Sequence, residues 1–433
     1  MNTKNSIKIV FLCFVLIANS SSHLLFSQDL TTKDTLYPIV QQLQSDVKLA
    51  KKLKISGYVQ AQYQTADTAG IASMAGGDFD AGIDNRFKVR RGRMKVAYAT
   101  GLSSAVLQFD MTEKGVKMNE VYLKLKEPLL NTITLTGGVF DRPFGYEIAY
   151  SSSKVESLER SRITQILFPG EKDLGGQLTI QAPKTSVLNF IKLEAGIFAG
   201  NGPAIETDSY QDFIGHLHMS KTSTNKKFSW GLGGSYYNGG FAAATDKLYS
   251  LKRVAGINTF VSDSVGKGSK LGREYIGFDG QLSIDWGLGM TQIRAEYLTG
   301  SQTGKSTSTS SLESAMSGDG YVRNFNGYYV YFIQDIGQLP FQAVVKYDVY
   351  DPNTDIAGNQ IGIAATGTGD ADVKYSTLGF GLHYLFDSNT RISAYYDMVT
   401  NETTNLLADG STLIDLSKDK RDNVFTLRLQ YKF

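Results

Sequence analysis

The chain has 433 residues, with 44 Lys and Arg against 42 Asp and Glu, and a mean hydropathy of -0.18. That near-balance excludes a global electrostatic pull toward nucleic acid or an anionic partner, so any charge selectivity has to be local. A single cysteine, Cys13, excludes both a disulfide framework and a cysteine metal centre.

Residues 1–27 have the pattern of a secretory signal peptide. Lys4 and Lys8 give a basic start, and Ile9–Ala18 is an apolar stretch too short and wrongly flanked to serve as an anchor. Cleavage is expected after Ser27. Lipidation at Cys13 is not expected, because Val10-Phe11-Leu12 lacks the small residues that processing needs. Loss of the leader removes two lysines and no acids, leaving 42 basic and 42 acidic residues and no cysteine. Beyond it no apolar run is long enough for a spanning helix. Residues 28–54 read as a helix and linker on the periplasmic side. Pro38 suits a first turn, and Val40, Leu43 and Val47 recur at spacings of 3 and 4. A spacer or short coiled coil is the expected role, with a plug as the alternative.

From Ile55 to the end, residues 55–433, the period becomes two. Sixteen alternating runs follow: 55–64, 86–99, 104–112, 118–127, 131–140, 175–183, 187–199, 212–221, 227–238, 273–286, 290–299, 323–335, 340–350, 373–386, 390–399 and 423–433. Most approach the ~10 residues that a tilted strand needs to cross a bilayer. Their connections alternate short and long. Gly101–Ser103, Gly287–Gly289 and Asp387–Asn389 are short; 65–85, 141–174, 239–272 and 400–422 are long, and only 113–117 breaks the trend. Short turns on one side and long loops on the other are the arrangement of an outer-membrane barrel. The expected fold is therefore all-β: a transmembrane antiparallel β-barrel of 16 strands.

The cost of charge in lipid assigns the faces. A Lys or Arg facing lipid at mid-membrane costs about 2–4 kcal/mol. In the last strand Phe425, Leu427, Leu429, Tyr431 and Phe433 share one face, and Thr426, Arg428, Gln430 and Lys432 the other, which must face the lumen. The same sorting turns Gln108, Asp110, Lys124, Lys126, Arg294, Glu296, Lys346, Asp348, Arg391 and Asp397 inward, into water. Trp230, Trp286, Tyr98, Tyr431 and Phe433 would form one interfacial girdle, and Tyr63, Tyr236 and Tyr297 the other. The second strand changes phase near Arg90–Arg91, which predicts a bulge or a strand end standing above the membrane. Either way Arg91, Arg93 and Lys95 point inward as a basic ladder.

The stretch Phe140–Leu174, FDRPFGYEIAYSSSKVESLERSRITQILFPGEKDL, does not alternate. A connection this long is functional or disordered. Its anchors (Phe144, Tyr146, Tyr150, Ile163, Ile166, Leu167, Phe168) predict an ordered loop, the third external one, packed inside the lumen.

Three blocks then resemble the phosphate-selective porins of the O and P type and their wider relatives. They are FKVRRGRMK at Phe87–Lys95; GVFDRPFGYE and LERSRITQILFPGEKDLG within Gly138–Gly175; and AGIFAGNG at Ala195–Gly202, followed by Asp212-Phe213. The likeness spans most of the chain after Lys54. It implies a sixteen-stranded barrel, usually trimeric, whose third external loop narrows the pore. Where relatives carry a basic residue and Pro-Pro-Phe-Gly, this chain has Asp141-Arg142-Pro143-Phe144-Gly145, which adds an acid near the constriction.

Arg90, Arg91, Arg93, Lys95, Lys124 and Lys126 are the expected pore-lining, anion-binding set, because guanidinium matches phosphate oxygens in a bidentate way. The competing reading pairs this ladder with Asp110 and Glu120. Asp141, Arg142, Lys154, Arg160 and Arg162 are expected in the constriction loop, either lining the opening or pinning the loop to the wall. His216 and His218 share an inward face and could begin a metal site, but they read as polar lumen residues, so none is assigned. Gly266-Lys267-Gly268-Ser269 lacks the earlier glycine of a phosphate-binding loop. No nucleophile motif appears, so no enzyme and no cofactor are expected. Together these readings imply a porin in the outer membrane of a Gram-negative bacterium, in contact with outer-membrane lipid. It would pass small anions or polar solutes and assemble as a homotrimer. The alternative is a structural or adhesive barrel that does not conduct.

Overall fold

The computed structural model describes residues 36–407 and 415–433. The expected signal peptide lies outside the described residues. The chain divides into two units at Lys51/Lys52. The first contains the helix α1 (Leu36–Lys52), which leaves Tyr37, Ile39, Val40, Leu43 and Val47 exposed. Among the described residues no helix is long and apolar enough to cross a membrane.

The second unit is built of strands: β1 (Leu53–Ala66), β2 (Asn85–Thr100), β3 (Ser103–Thr112), β4 (Gly115–Lys126), β5 (Ile133–Asp141), β6 (Lys172–Gln181), β7 (Ile191–Phe198), β8 (Asp212–Thr222) and β9 (Phe228–Ala242) form the first half. After a hairpin of β10 (Lys247–Val254) and β11 (Ile257–Ser264) come β12 (Lys270–Trp286), β13 (Gly289–Gly304), β14 (Gly320–Asp335), β15 (Phe341–Asp351), β16 (Tyr375–Leu385), β17 (Thr390–Asn401) and β18 (Val424–Lys432). Leaving out the hairpin, each strand pairs antiparallel with its neighbours in sequence, and β1 pairs with both β2 and β18. This closes a barrel of sixteen strands. Closure matters because an open edge in lipid would leave backbone groups unsatisfied at several kcal/mol each.

The connection between β9 and β12 is not a plain loop, as the sequence suggested. It holds the β10–β11 hairpin, whose start pairs briefly with β14 at Tyr249 and Tyr321. Its turn is Ala255–Gly256, with Ala255 left-handed at φ 49°. Hairpin turns of this kind favour Asn or Asp at that position, so the usual signal was missing.

The alternation in β18 is sharp. Leu427, Leu429 and Tyr431 are exposed, while Thr426, Arg428 and Gln430 are buried. Arg294, Glu296, Lys346, Asp348, Arg391 and Asp397 are buried inside as well. Tyr98, Trp286, Tyr236, Tyr297, Tyr431 and Phe433 are exposed on the outer surface. The sides of the barrel also differ as expected. Connections such as 287–288 and 386–389 close one end, and 67–84, 142–171 and 352–374 extend from the other.

The bulge in β2 is present. Gln60 faces Arg91 and Ala61 faces Val89, so Arg90 is the extra residue. It lets Arg90 and Arg91, adjacent in sequence, reach the same carboxylate.

Candidate functional site

The connection 142–171 between β5 and β6 touches inward-facing side chains around much of the barrel. It starts with Pro143-Phe144-Gly145. The Phe144 ring lies over Gly277 of β12, where a side chain would meet it at 2.8 Å. Gly145 has φ +61°, and a Cβ there would collide with the Glu296 carboxylate. Glu296 instead accepts the backbone N–H groups of Tyr146 and Glu147, each at 3.2 Å, and the Tyr329 hydroxyl at 2.7 Å. Only glycine permits that approach.

The next anchor is a short helix, α2 (Arg162–Leu167), with Ile163 and Leu167 buried. Glu147 accepts the Ser161 N–H at 3.1 Å at its start. Phe168 follows, with its ring 5.0 Å from Phe144 and edge-on to Tyr237 and Tyr275. Phe140, Phe198, Ile214, Leu298, Phe325 and Tyr350 extend this cluster over β5 and from β7 to β15. The loop's apolar anchors therefore pack on one wall, as aromatic pairs at 4.5–7 Å do in a core.

The stretch 151–159 is held by polar groups of β1, β2, β17 and β18. Gln60 donates to the Ser152 carbonyl at 3.2 Å, Gln430 to that of Ser153 at 3.0 Å, and Arg391 to that of Val155 at 3.2 Å. Arg428 donates to the Leu158 carbonyl at 2.8 Å and to Glu159 at 2.6 Å. Glu159 also takes Arg90 at 2.7 Å and Arg91 at 3.0 Å. Burial alone would raise the Glu159 carboxyl, but three guanidiniums hold it well below the ordinary carboxylate range. On the other flank Arg294 pairs with Glu156 at 2.9 Å, and the Ser157 hydroxyl meets Tyr331 at 2.6 Å.

The remaining space lies along β2, β3 and β4. A cavity of about 450 Å³ there is lined by six cations (Lys54, Arg93, Lys95, Arg160, Lys172, Lys432) and the acidic side chains Glu120 and Asp141. A second, of about 270 Å³, has Arg90, Arg91, Arg93, Lys117, Arg160 and Lys172 against Asp110, Glu159 and Glu171. Arg93, Arg160 and Lys172 line both. Glu171 lies among them, accepting from Arg160 at 2.6 Å and Lys172 at 3.2 Å. Desolvation would raise its carboxyl, yet Arg160, Lys172 and Arg93 hold it far below its ordinary value.

The expected anion set is thus divided. Arg90 and Arg91 are consumed by Glu159. Arg93 pairs with Asp110 at 3.3 Å and Lys95 with Glu120 at 2.8 Å, while both still face the larger cavity. Lys124 lines a smaller cavity beside them and stands over Tyr122. Lys126 is exposed at the short-turn end of β4, beyond the five cavities. It therefore does not line the cavities that the rest of the set faces. Of the expected loop residues, Asp141 pairs with Lys172 at 2.7 Å and Arg142 with Asp173 at 3.1 Å, both at the loop's base. Arg160 binds the carbonyls of Glu147, Ile148 and Tyr150 and folds the loop on itself. Arg162 stacks on Tyr375 at 4.1 Å. Lys154 faces a separate cavity near the 387–390 turn. Sequence reasoning left out Lys172, Glu159 and Glu171. Lys172 was hidden because it opens a strand, and the acids because only the fold shows how many cations surround each.

No protein-family model matches the chain, and no curated protein matches it. Solved structures do. The outer-membrane channel DcaP of Acinetobacter baumannii aligns at 10% identity over 88% of this chain and 97% of its own, with a TM-score of 0.52. OprB of Pseudomonas putida aligns at 9% identity over 91% and 97%, with a TM-score of 0.55. A loop L8 deletion mutant of OmpT, an outer-membrane protein of Vibrio cholerae, aligns at 12% identity over 88% and 99%, with a TM-score of 0.50. At these identities the likeness carries the fold, and that fold is the closed antiparallel barrel of outer-membrane channels.

Proposed function

We propose that this chain is an outer-membrane porin that passes small polar solutes down their gradients with a preference for anions, phosphate or similar. The carrying observation is the excess of cationic over acidic side chains in both cavities bounding the loop, with Arg93, Arg160 and Lys172 common to the two. A water-filled constriction with a net positive lining raises the local anion concentration and discriminates against cations. The sequence resemblance to phosphate-selective porins supports the same reading. So does the outer-membrane origin of the barrels with similar folds, and a homotrimer is the assembly that goes with it.

The acids set the limit. Asp110, Glu120, Asp141 and Glu171 each pair with a lining cation, so the field is moderate and selection favours small anions generally. The zero-current potential of the reconstituted protein across a KCl gradient tests this, with the chloride-permeable sign expected. A cation-permeable sign would overturn the anion preference, and a protein that never opens in bilayers would leave the structural or adhesive barrel in its place.

A further inference from the structure

Away from the loop, three strands bring together side chains that the proposed channel does not use. His216 and His218 project inward from β8, and Asp279 projects inward from β12. His216 and Asp279 are 63 residues apart and not on adjacent strands, because β9 runs between them. They meet because β9 carries glycine there. Gly233 is registered with His218 on one side and with Asp279 on the other. A Cβ at Gly233 would collide with Asp279 and approach His216 Nε2 to 2.6 Å. The neighbouring Gly231 likewise leaves room beside His218 Cε1, at 3.1 Å. The strand between the ligands is thus stripped of side chains where they converge.

The geometry is close to that of a metal centre. His216 Nε2 lies 3.1 Å and His218 Nδ1 3.8 Å from the Asp279 carboxylate. One donor atom from each residue fits within a span of 4.8 Å. Tetrahedral zinc with bonds near 2.0 Å places its ligand atoms ~3.3 Å apart, so small rotations suffice.

Two further observations point to a ligand. Among the described residues His218 Nδ1 is buried with no hydrogen-bond partner. The Asp279 side chain is fully buried, yet it pairs with no Lys or Arg among the described residues. Three other fully buried aspartates have a permanent cation: Asp212 has Arg273, Asp372 has Arg323 and Asp173 has Arg142; buried Glu296 is instead met by two backbone N–H groups and the Tyr329 hydroxyl. A buried carboxylate without one is costly. Gln281 donates to it at 2.6 Å, which offsets only part of the charge.

We propose that His216, His218 and Asp279 form a lumen-facing site for a divalent transition-metal cation of the zinc class. Two imidazole nitrogens and one carboxylate oxygen suit this class and leave a fourth position for water or a passing solute. Bound metal supplies the missing counter-charge of Asp279 and ties β8 to β12 across β9. His218 remains partly exposed, which leaves an approach from the lumen.

The test uses the whole mature chain, purified in detergent without a histidine tag and stripped with chelator. Zn²⁺ titration by calorimetry should give one site per chain. His218→Gln should weaken binding by at least ~10-fold, since loss of even a supporting partner costs that much. Because His218 Nδ1 has no hydrogen-bond partner among the described residues, this variant removes no hydrogen bond seen there from that atom. Equal binding by His218→Gln and the parent, or none up to millimolar Zn²⁺, would overturn the site. A measurement on the unaltered chain stands independently of any variant. Bound Cu²⁺ should show nitrogen hyperfine splitting from two imidazoles in its paramagnetic resonance spectrum, and an all-oxygen signature would overturn the assignment.

Discussion

The loop 142–171 meets two unlike walls. Toward β7–β15 it presents Phe144, Ile163, Leu167 and Phe168, packed among Tyr237, Tyr275 and Phe325. Toward β2–β4 it presents Arg160 and Glu171, with Lys172 next to it at the start of β6, across cavities lined by Arg93 and Asp110. The first contact is dry and directional, so it fixes where the loop sits. The second, the wet wall, is charged and lined by cavities, and under the proposed function it selects what passes. Glu159, ringed by Arg90, Arg91 and Arg428, is where the two walls are joined. A loop held only by charge would move with salt; one packed on every side would leave no path.

The largest effect should come from removing the division altogether. Excision of 154–167 deletes α2 and the Glu159 anchor while leaving every barrel strand. Single-channel conductance should rise severalfold and ion preference should weaken. An unchanged conductance would mean that the path does not run past this loop.

Breaking either wall alone comes next. Phe168→Ala empties part of the aromatic cluster and should cost about 3–5 kcal/mol of loop anchoring. The expected readout is faster proteolysis within 142–171, with ion preference retained. Glu159→Gln leaves three guanidiniums without their acid, and loss of one partner from a buried pair costs about 3–5 kcal/mol. Here both properties should change: the current becomes noisier and anion preference increases. If Phe168→Ala shifts selectivity as much as Glu159→Gln does, the two walls are not separable.

A subtler change touches only the wet wall. Arg93→Ala with Lys172→Met removes two of the three cations common to both cavities while leaving the aromatic cluster intact. The zero-current potential should move toward the cation side by more than it does for Lys124→Ala, whose side chain lines only the neighbouring cavity. Lys126→Ala should leave it unchanged.

The dry wall was the more legible of the two. Phe144, Ile163, Leu167 and Phe168 announced an ordered loop because exposed apolar residues at that density need a partner. The barrel was legible for a related reason: in β18 the penalty for Arg428 in lipid fixes which face is which. The wet wall was legible in composition but not in pairing. Arg90, Arg91, Arg93 and Lys95 read as one ladder, whereas the bulge at Arg90 sends the first two to Glu159 and leaves the others to Asp110 and Glu120. A one-residue irregularity decides this, and acids such as Glu159 and Glu171 lie far from those strands in sequence. Asp279 was out of reach for the same reason, since only strand register places it beside His216 and His218.

Acid pH separates the walls most gently. Glu159 and Glu171 have folded values held below their ordinary 4.5 by neighbouring cations, against the opposing effect of burial. For a depressed carboxyl the stabilisation is fully present above the ordinary value. It is lost as pH falls below that value and through the lowered one. Lowering pH from 7 to 5 should therefore leave the loop anchored. Below about 4.5 the anchoring weakens progressively. Current noise should rise over that range, because Glu159 loses its charge while the aromatic cluster is undisturbed. Asp422, in the loop after β17, provides the contrast. Burial, partly offset by Arg162 and Lys420, pushes it up to about 6. A raised carboxyl favours its neutral form, so that outer loop should contribute a change near pH 6 that persists in Glu159→Gln. The change below 4.5 should be diminished in that variant, and noise that rises identically in both proteins would remove Glu159 as the join between the walls.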